Sequence, residues 1–354
     1  MTANVETWED SRESCHVLSG PHDYDISASL VLPSGVGGSV VGVGGGQYFA
    51  PGHAMRSCSS VLLWRGNSRS AAIEMRGLEQ SVDSLSVCDA PIGILFRKGE
   101  LGVRTGKSVI RDTWLTNCKV GVQCAVAEEE YDCDNLRLDR VFFHDCKTGF
   151  RVTNAEGTGH TVLSTWFRSD QDDSTCFLFE GGGNLWATGV TICKASCLLK
   201  IDGRRAISPS SAQYTISGIR VDADAGPCKI VDVTEPSPCQ VTLRDCHVAY
   251  SSYDKNSAPM FSLSGSSSLT GDNFYNLQRG AIRWADQPRR GTSDTPNIAI
   301  YRSRVNGCEN VLDLLDASNS SGTAYLVVQD CFDMQGNPLA DFSGPVDSDP
   351  GIEE

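Results

Sequence analysis

The chain is written in short runs that alternate apolar and polar residues. Ser108–Leu115, Asn135–Phe142, Gly159–Trp166, Trp186–Ile192, Tyr214–Val221, Gln240–Val248, Leu269–Phe274, Ile298–Val305 and Tyr325–Cys331 share this pattern, each broken by a polar residue or a Gly, Asp or Asn bend. Alternation with period two places successive side chains on opposite faces, which is the signature of a strand. Marker positions recur along the chain at Trp114, Phe142, Trp166, Val190, Ile219, Cys246 and Phe274, at spacings of 24 to 29 residues. Each run is trailed by a second one, as in Val120–Val122, Gly149–Val152, Cys176–Phe179, Cys197–Ile201 and Lys229–Val233. No helical period lies between them, so βαβ units have no room.

A unit of this length cannot bury its inward side chains alone, but stacked units bury a continuous column. The pattern therefore predicts an all-β fold, a single-stranded right-handed parallel β-helix over residues 30–342 with about ten or eleven coils. At ~4.8 Å per coil the rod is roughly 50 Å long. Ala127–Asp134, Gly203–Ala212 and Ala285–Asn297 read as loops bulging from one corner. Residues 1–29 form a cap or an attachment segment, with helix-compatible residues over Val5–Val17 and Trp8 as a possible anchor. The acidic tail 343–354, with Pro345 and Pro350, reads as extended and mobile.

Fifteen cysteines in 354 residues change the picture only slightly. No Cys-x-x-Cys occurs, and the Cys193 and Cys197 pair has no histidine nearby, so a zinc site is poorly supported. Cys118, Cys146, Cys176, Cys197, Cys228, Cys246, Cys308 and Cys331 fall just after a bend or open the next run. Stacking would gather them into an internal ladder of reduced, buried thiols. The net charge of −14 repels phosphate backbones and argues against a nucleic-acid partner. The first residues lack a basic stretch followed by an apolar one, which reads as no secretory signal. No run is long and apolar enough to span a bilayer.

Leu30–Val36 and Gly38–Gly46, followed by Ser60–Gly66, Ile73–Gly77 and Leu85–Val87, resemble the entry coils of the pectate-lyase-like right-handed β-helix superfamily. That resemblance implies one of two kinds of work: secreted polysaccharide lyases and hydrolases, or phage tailspikes and related virion proteins. Fold cannot choose between them.

The chemistry leans toward the second. Sugar hydrolysis needs two carboxyl groups at a fixed separation across the bond, yet the Asn-Thr-Asp, His-Gly and Arg-x-Lys motifs of hydrolases on this fold do not occur. The nearest cluster, Asp170, Asp172 and Asp173 beside Arg168, reads as a solvated turn, as does the acidic loop Glu128–Asp134. Thr105–Ser108 mimics the end of a phosphate-binding loop, but position 101 is Leu and a strand follows. Gly42–Gly46 reads as a tight corner. His144, Asp145 and Cys146 form a compact trio whose neighbours should point to opposite faces. Trp114 and Trp166 share a coil position and read as stacked core aromatics rather than sugar platforms, while Trp186 fits either role.

No catalytic residue, cofactor or metal ligand is assigned on these grounds. The expectation is a bacteriophage virion protein with a β-helix body: a tailspike, tail fibre or capsid-decorating protein. It would be made in the host cytoplasm, docked through its N-terminal segment and able to touch a host-surface glycan. The resemblance implies a homotrimer. The competing expectation is a polysaccharide lyase or glycoside hydrolase acting on an acidic glycan.

Overall fold

The structure is a computed structural model, and it describes residues 5–10, 13–18, 20–43, 60–99, 105–126, 133–154, 157–202, 212–222, 228–234, 238–249, 259–285 and 295–348. The described residues form a right-handed parallel β-helix of about nine turns, slightly fewer than the ten or eleven coils the spacing suggests. One wall is a ten-stranded sheet of short strands, among them Ile92–Phe96, Val120–Cys124, Thr148–Val152, Thr175–Phe179 and Cys197–Ile201. The other wall is built from longer strands such as Val109–Thr116, Arg137–His144, Asn184–Lys194, Ala212–Val221 and Cys239–Val248.

The long wall bends at the same level in every turn, within one strand or between two short ones. Ser84, Asp112, Arg140, Ser164, Gly189, Gly218, Asp245, Asn273, Arg302 and Asp330 all have φ between 48° and 71°. Their flanking residues are paired in register, so the ten form one left-handed column. Gly, Asn and Asp tolerate this conformation best, which accounts for the Gly, Asp and Asn bends of the sequence. The two arginines are held by carboxylates of the preceding turn. Arg140 makes a two-pronged bond to Asp112 at 2.7 and 2.8 Å, and Arg302 makes one to Asp272.

The bends fold each coil around a packed interior of three inward columns. Leu138, Val162, Ala187, Ile216 and Leu243 form one; Leu115, Phe143, Phe167, Ile192 and Val221 the second; Val122, Phe150, Phe177, Leu199 and Val231 the third. All are essentially inaccessible to solvent; burying one such side chain contributes about 1.5–3 kcal/mol. Space for the rings comes from backbone without side chains. A Cβ on Gly121 would lie 2.5 Å from the Phe143 ring, and one on Gly149 would lie 3.1 Å from Phe167.

The thiols are internal, but they do not make one ladder. The thirteen cysteines whose side chains are described are free, and eleven of them are buried. Cys118 and Cys146 stack at one corner, each donating to a backbone carbonyl of the preceding coil. Cys246 instead lies in the long wall between Ile219 and Phe274. Cys176 and Cys197 sit in the short wall, where Thr175 rather than Cys176 pairs with Cys197, and Cys228 just precedes the strand whose Lys229 pairs with Cys197. A repeat that varies in length shifts its cysteines between columns.

Both ends differ from the sequence expectation. Val5–Asp10 and Glu13–Leu18 form an antiparallel hairpin instead of a helix, and the second strand joins Ser39–Val41 in parallel. Pairing with an otherwise open sheet edge outweighs local helix preference. At the other end, Phe342–Asp347, expected to begin a loose tail, pairs antiparallel with Thr323–Gln329 and covers the last long strand. The anchor role of Trp8, the glycines 44–46, the acidic loop 127–132, the inserts 203–211 and 286–294 and the residues 349–354 lie outside the described set.

His160 interrupts the apolar interior. It is fully buried, edge-on to Phe150 at 5.5 Å, with its Nε2 3.9 Å from the Cys124 thiol. Burial pulls its pKa down to about 4 from 6.5. The unfolded chain therefore takes up a proton between pH 6.5 and 4 that the folded chain refuses. Stability from this group is complete above pH 6.5 and falls by about 3 kcal/mol as the pH drops to 4.

Two outcomes follow. Gly121→Val forces a side chain against Phe143 and should lower unfolding free energy by about 1–3 kcal/mol in a denaturant titration; an unchanged midpoint would contradict the packing described. His160→Gln should flatten the loss of stability between pH 6.5 and 5 relative to wild type, measured by thermal unfolding across pH.

Candidate functional site: an outer aromatic strip beside a charged cleft

Register decides which residues face outward from the long wall. Trp114 pairs with Phe142, and Phe142 with Trp166. Trp166 then pairs with Thr191, not Val190. Counting by spacing aligns Trp166 with Val190, a one-residue slip that exchanges the two faces of a strand. The correction moves Trp114 and Trp166 out of the core. Their inward neighbours Leu115, Phe143 and Phe167 are buried, whereas Trp114, Phe142 and Trp166 are partly exposed. Trp114 stacks on Phe142 with ring centres 4.8 Å apart, and it lies 6.0 Å from Trp166.

The strip runs into a cleft. His144 lies nearly parallel to Trp166, at 6.1 Å and 9°. Beyond it, the pairing between Trp166–Arg168 and Asn184–Lys194 slips after Phe167, so that Arg168 faces Lys194 and Cys193 is extra. A bulge of this kind re-aims side chains. Here it opens a cavity of about 320 Å³ lined by Arg168, Asp170, Cys193, Lys194 and Asp222. Lys194 bonds Asp170 at 2.6 Å, which holds that carboxyl below the usual carboxylate range. Arg220 bonds Asp222 at 2.7 Å. The Cys193 thiol donates to Asp222 at 3.2 Å. Its pKa is pushed up to about 11, first by burial and then by that carboxylate, while the Trp166 indole works in the opposite direction.

Of the acidic cluster Asp170, Asp172 and Asp173, only Asp170 lines the cleft; all three are exposed. His144 and Asp145 do converge, against the alternation rule, with Nδ1 and Oδ2 3.3 Å apart. The reason is the left-handed backbone of Asp145, φ 51°, which turns its side chain back. Cys146 points inward and donates to the Leu115 carbonyl at 3.2 Å, and burial raises its pKa well above the thiol range. It cannot serve as a nucleophile for His144. Trp186 is half exposed but sits on the other arm of the long wall, in register with Thr161 and Thr215. Gly106 pairs with Asp134, and Val109–Thr116 follows as a strand, so Thr105–Ser108 does not open a helix. Lys194, Cys193 and Asp222 were not anticipated; a bulge leaves no mark in an alternating pattern.

Chemically, the arrangement suits binding better than bond cleavage. Aromatic faces can cover the C–H faces of sugar rings while charged and hydrogen-bonding groups alongside take hydroxyls and charges. Hydrolysis with two carboxyl groups needs one protonated and one ionised; here Lys194 favours the ionised form of Asp170, and Asp170 and Asp222 are each engaged by a cation. Among the described residues no three His, Cys, Asp or Glu side chains gather as a metal site, and no helix is long and apolar enough to cross a membrane.

No protein-family profile matches the sequence, and no curated protein does. Solved structures do match. DFA-IIIase from Arthrobacter chlorophenolicus A6 aligns over 93% of this chain and 86% of its own, with 11% identity and a TM-score of 0.50. The ORF18 protein of Geobacillus virus E2 aligns over 91% of this chain and 54% of its own, with 9% identity and a TM-score of 0.45. Endo-xylogalacturonan hydrolase from Aspergillus tubingensis covers 91% and 86%, at 11% identity and a TM-score of 0.39. At these identities the likeness is one of fold, the pectin-lyase-like right-handed β-helix.

In the native protein Cys193 should alkylate slowly at pH 8. Asp222→Asn removes a neighbour that disfavours the thiolate, so its rate should rise severalfold, measured by peptide mapping after timed labelling.

Proposed function

We propose that this chain is the β-helix body of a virion protein that recognises a glycan on a host cell surface. The observation that carries the glycan reading is the continuity of Trp114, Phe142 and Trp166 with the cleft of Arg168, Asp170, Lys194 and Asp222. The three rings are partly exposed and stacked into one contiguous apolar strip, the kind of surface a sugar face can cover. The polar groups beside them supply direction. The virion setting rests on the resemblance of the sequence to phage β-helix proteins, whose bodies are rigid rods. In that setting the N-terminal hairpin docks the rod to other virion proteins, and three copies assemble.

One observation favours a second reading. Asp170 and Asp222 line one cleft together with Arg168 and Lys194, and a carboxylate pair beside cations is a starting point for glycoside hydrolysis. A reducing-sugar assay over host-derived polysaccharides separates the two: product formation abolished by Asp222→Asn supports an enzyme, whereas retention without product supports a receptor-binding body.

For the first reading, cell-surface polysaccharide from the host is titrated against the protein. Wild type should bind, and Trp166→Ala should weaken binding at least tenfold, the cost of ~1.4 kcal/mol or more for a lost ring contact. The fold should be unaffected, because Trp166 faces outward. Equal binding by the variant would contradict the assignment.

A further inference from the structure

The outward column that carries Trp114, Phe142 and Trp166 does not end at the cleft. Past Thr191 it continues, rung by rung, through Arg220, His247, Tyr275, Arg304 and Phe332. All five are exposed, Tyr275 by 41% and Phe332 by 39%. His247 and Tyr275 stack face to face, 4.9 Å apart and 26° from parallel. From Trp114 to Phe332 the column holds no carboxylate, in a chain that carries 44 acidic and 30 basic residues. Arg220 has a carboxylate beside it in Asp222, while Arg304 makes no ion pair among the described residues.

Strand pairing fixes the spacing. Eight steps of ~4.8 Å place Phe332 roughly 38 Å from Trp114 along the axis. We infer that Arg220, His247, Tyr275, Arg304 and Phe332 form a second recognition segment, which takes the acidic portion of an extended polysaccharide lying along the rod. The ligand class follows from two properties of the segment. Its aromatic faces match the apolar faces of sugars, and its guanidinium groups match carboxylate or other anionic substituents. A short oligosaccharide would cover only the aromatic strip or only the cationic segment; a chain spanning both gains from joining the two sites, because the second contact becomes intramolecular.

This inference rests on the glycan reading above, and the experiment keeps the two apart. Size-fractionated acidic polysaccharide from the host surface is titrated by calorimetry against wild type, Trp166→Ala and the double variant Tyr275→Ala with Arg304→Ala. Far-ultraviolet circular dichroism and melting temperature check that the outward-facing variants keep their fold. The expected result is that wild-type affinity rises with chain length until both segments are spanned. The double variant should lose tenfold or more for long chains and nothing for fragments too short to leave the aromatic strip. Raising salt from 50 to 200 mM should weaken long-chain binding in wild type more than in the double variant. If wild type binds these chains but the double variant matches it at every length, the second segment is refuted and the glycan reading stands. If wild type binds no chain of any length, both fail.

Discussion

A single left-handed residue at the bend of the long wall, repeated turn after turn, governs this molecule. Without that bend, a strand of eight to eleven residues would run flat, and the coil could not close around its contents. With it, the wall folds into two arms, and every inward side chain of one turn lands above its equivalent in the next. The conformation is disfavoured for most residues by about 1–2 kcal/mol. Its recurrence ten times in register, from Ser84 to Asp330, shows that packing and ladder hydrogen bonds outweigh the local cost at each turn. Gly189 and Gly218 avoid the cost, the Asp, Asn and Ser members reduce it with short polar side chains, and Arg140 and Arg302 recover part of it through carboxylate bonds.

The same register places the functional surface. In a parallel β-helix no outward residue chooses its neighbour; the stack does. Trp114, Phe142 and Trp166 lie close because their strands are hydrogen-bonded in order, and Arg220, His247, Tyr275 and Arg304 follow for the same reason. Among the described residues of this column the register slips after Phe167 and again after Tyr275, and the cleft forms at the first of these. A rigid scaffold thus presents a linear array with two local slips, a shape suited to a linear ligand.

Most of the fold was legible in the sequence because its signals are periodic. Alternation named the strands, Asp, Asn and Gly marked the bends, and the repeat length excluded helices. Register was legible only to within one residue. Between Phe142 and Ile219 the turns change length, and a slip of one residue at Val190 was enough to send the tryptophans to the wrong face. The meeting of His144 with Asp145 was hidden because alternation holds only for extended backbone, and Asp145 is left-handed. The cleft partners Lys194 and Asp222 were hidden for a different reason: a bulge depends on how two strands pair, which neither strand shows alone. The hairpin at Val5–Leu18 escaped because an open sheet edge elsewhere in the chain, not its own composition, makes it a strand.

The position of a bound sugar on the rod tests the glycan-binding role most directly. A structure of the protein soaked with an oligosaccharide cut from its host's surface polysaccharide would show this directly. Sugar rings should lie against the outer faces of Trp114, Phe142 and Trp166, with their polar groups turned toward Arg168 and Lys194, and the chain direction should follow the rod axis. Sugar found instead on the wall of short strands, with the long wall bare, would contradict it.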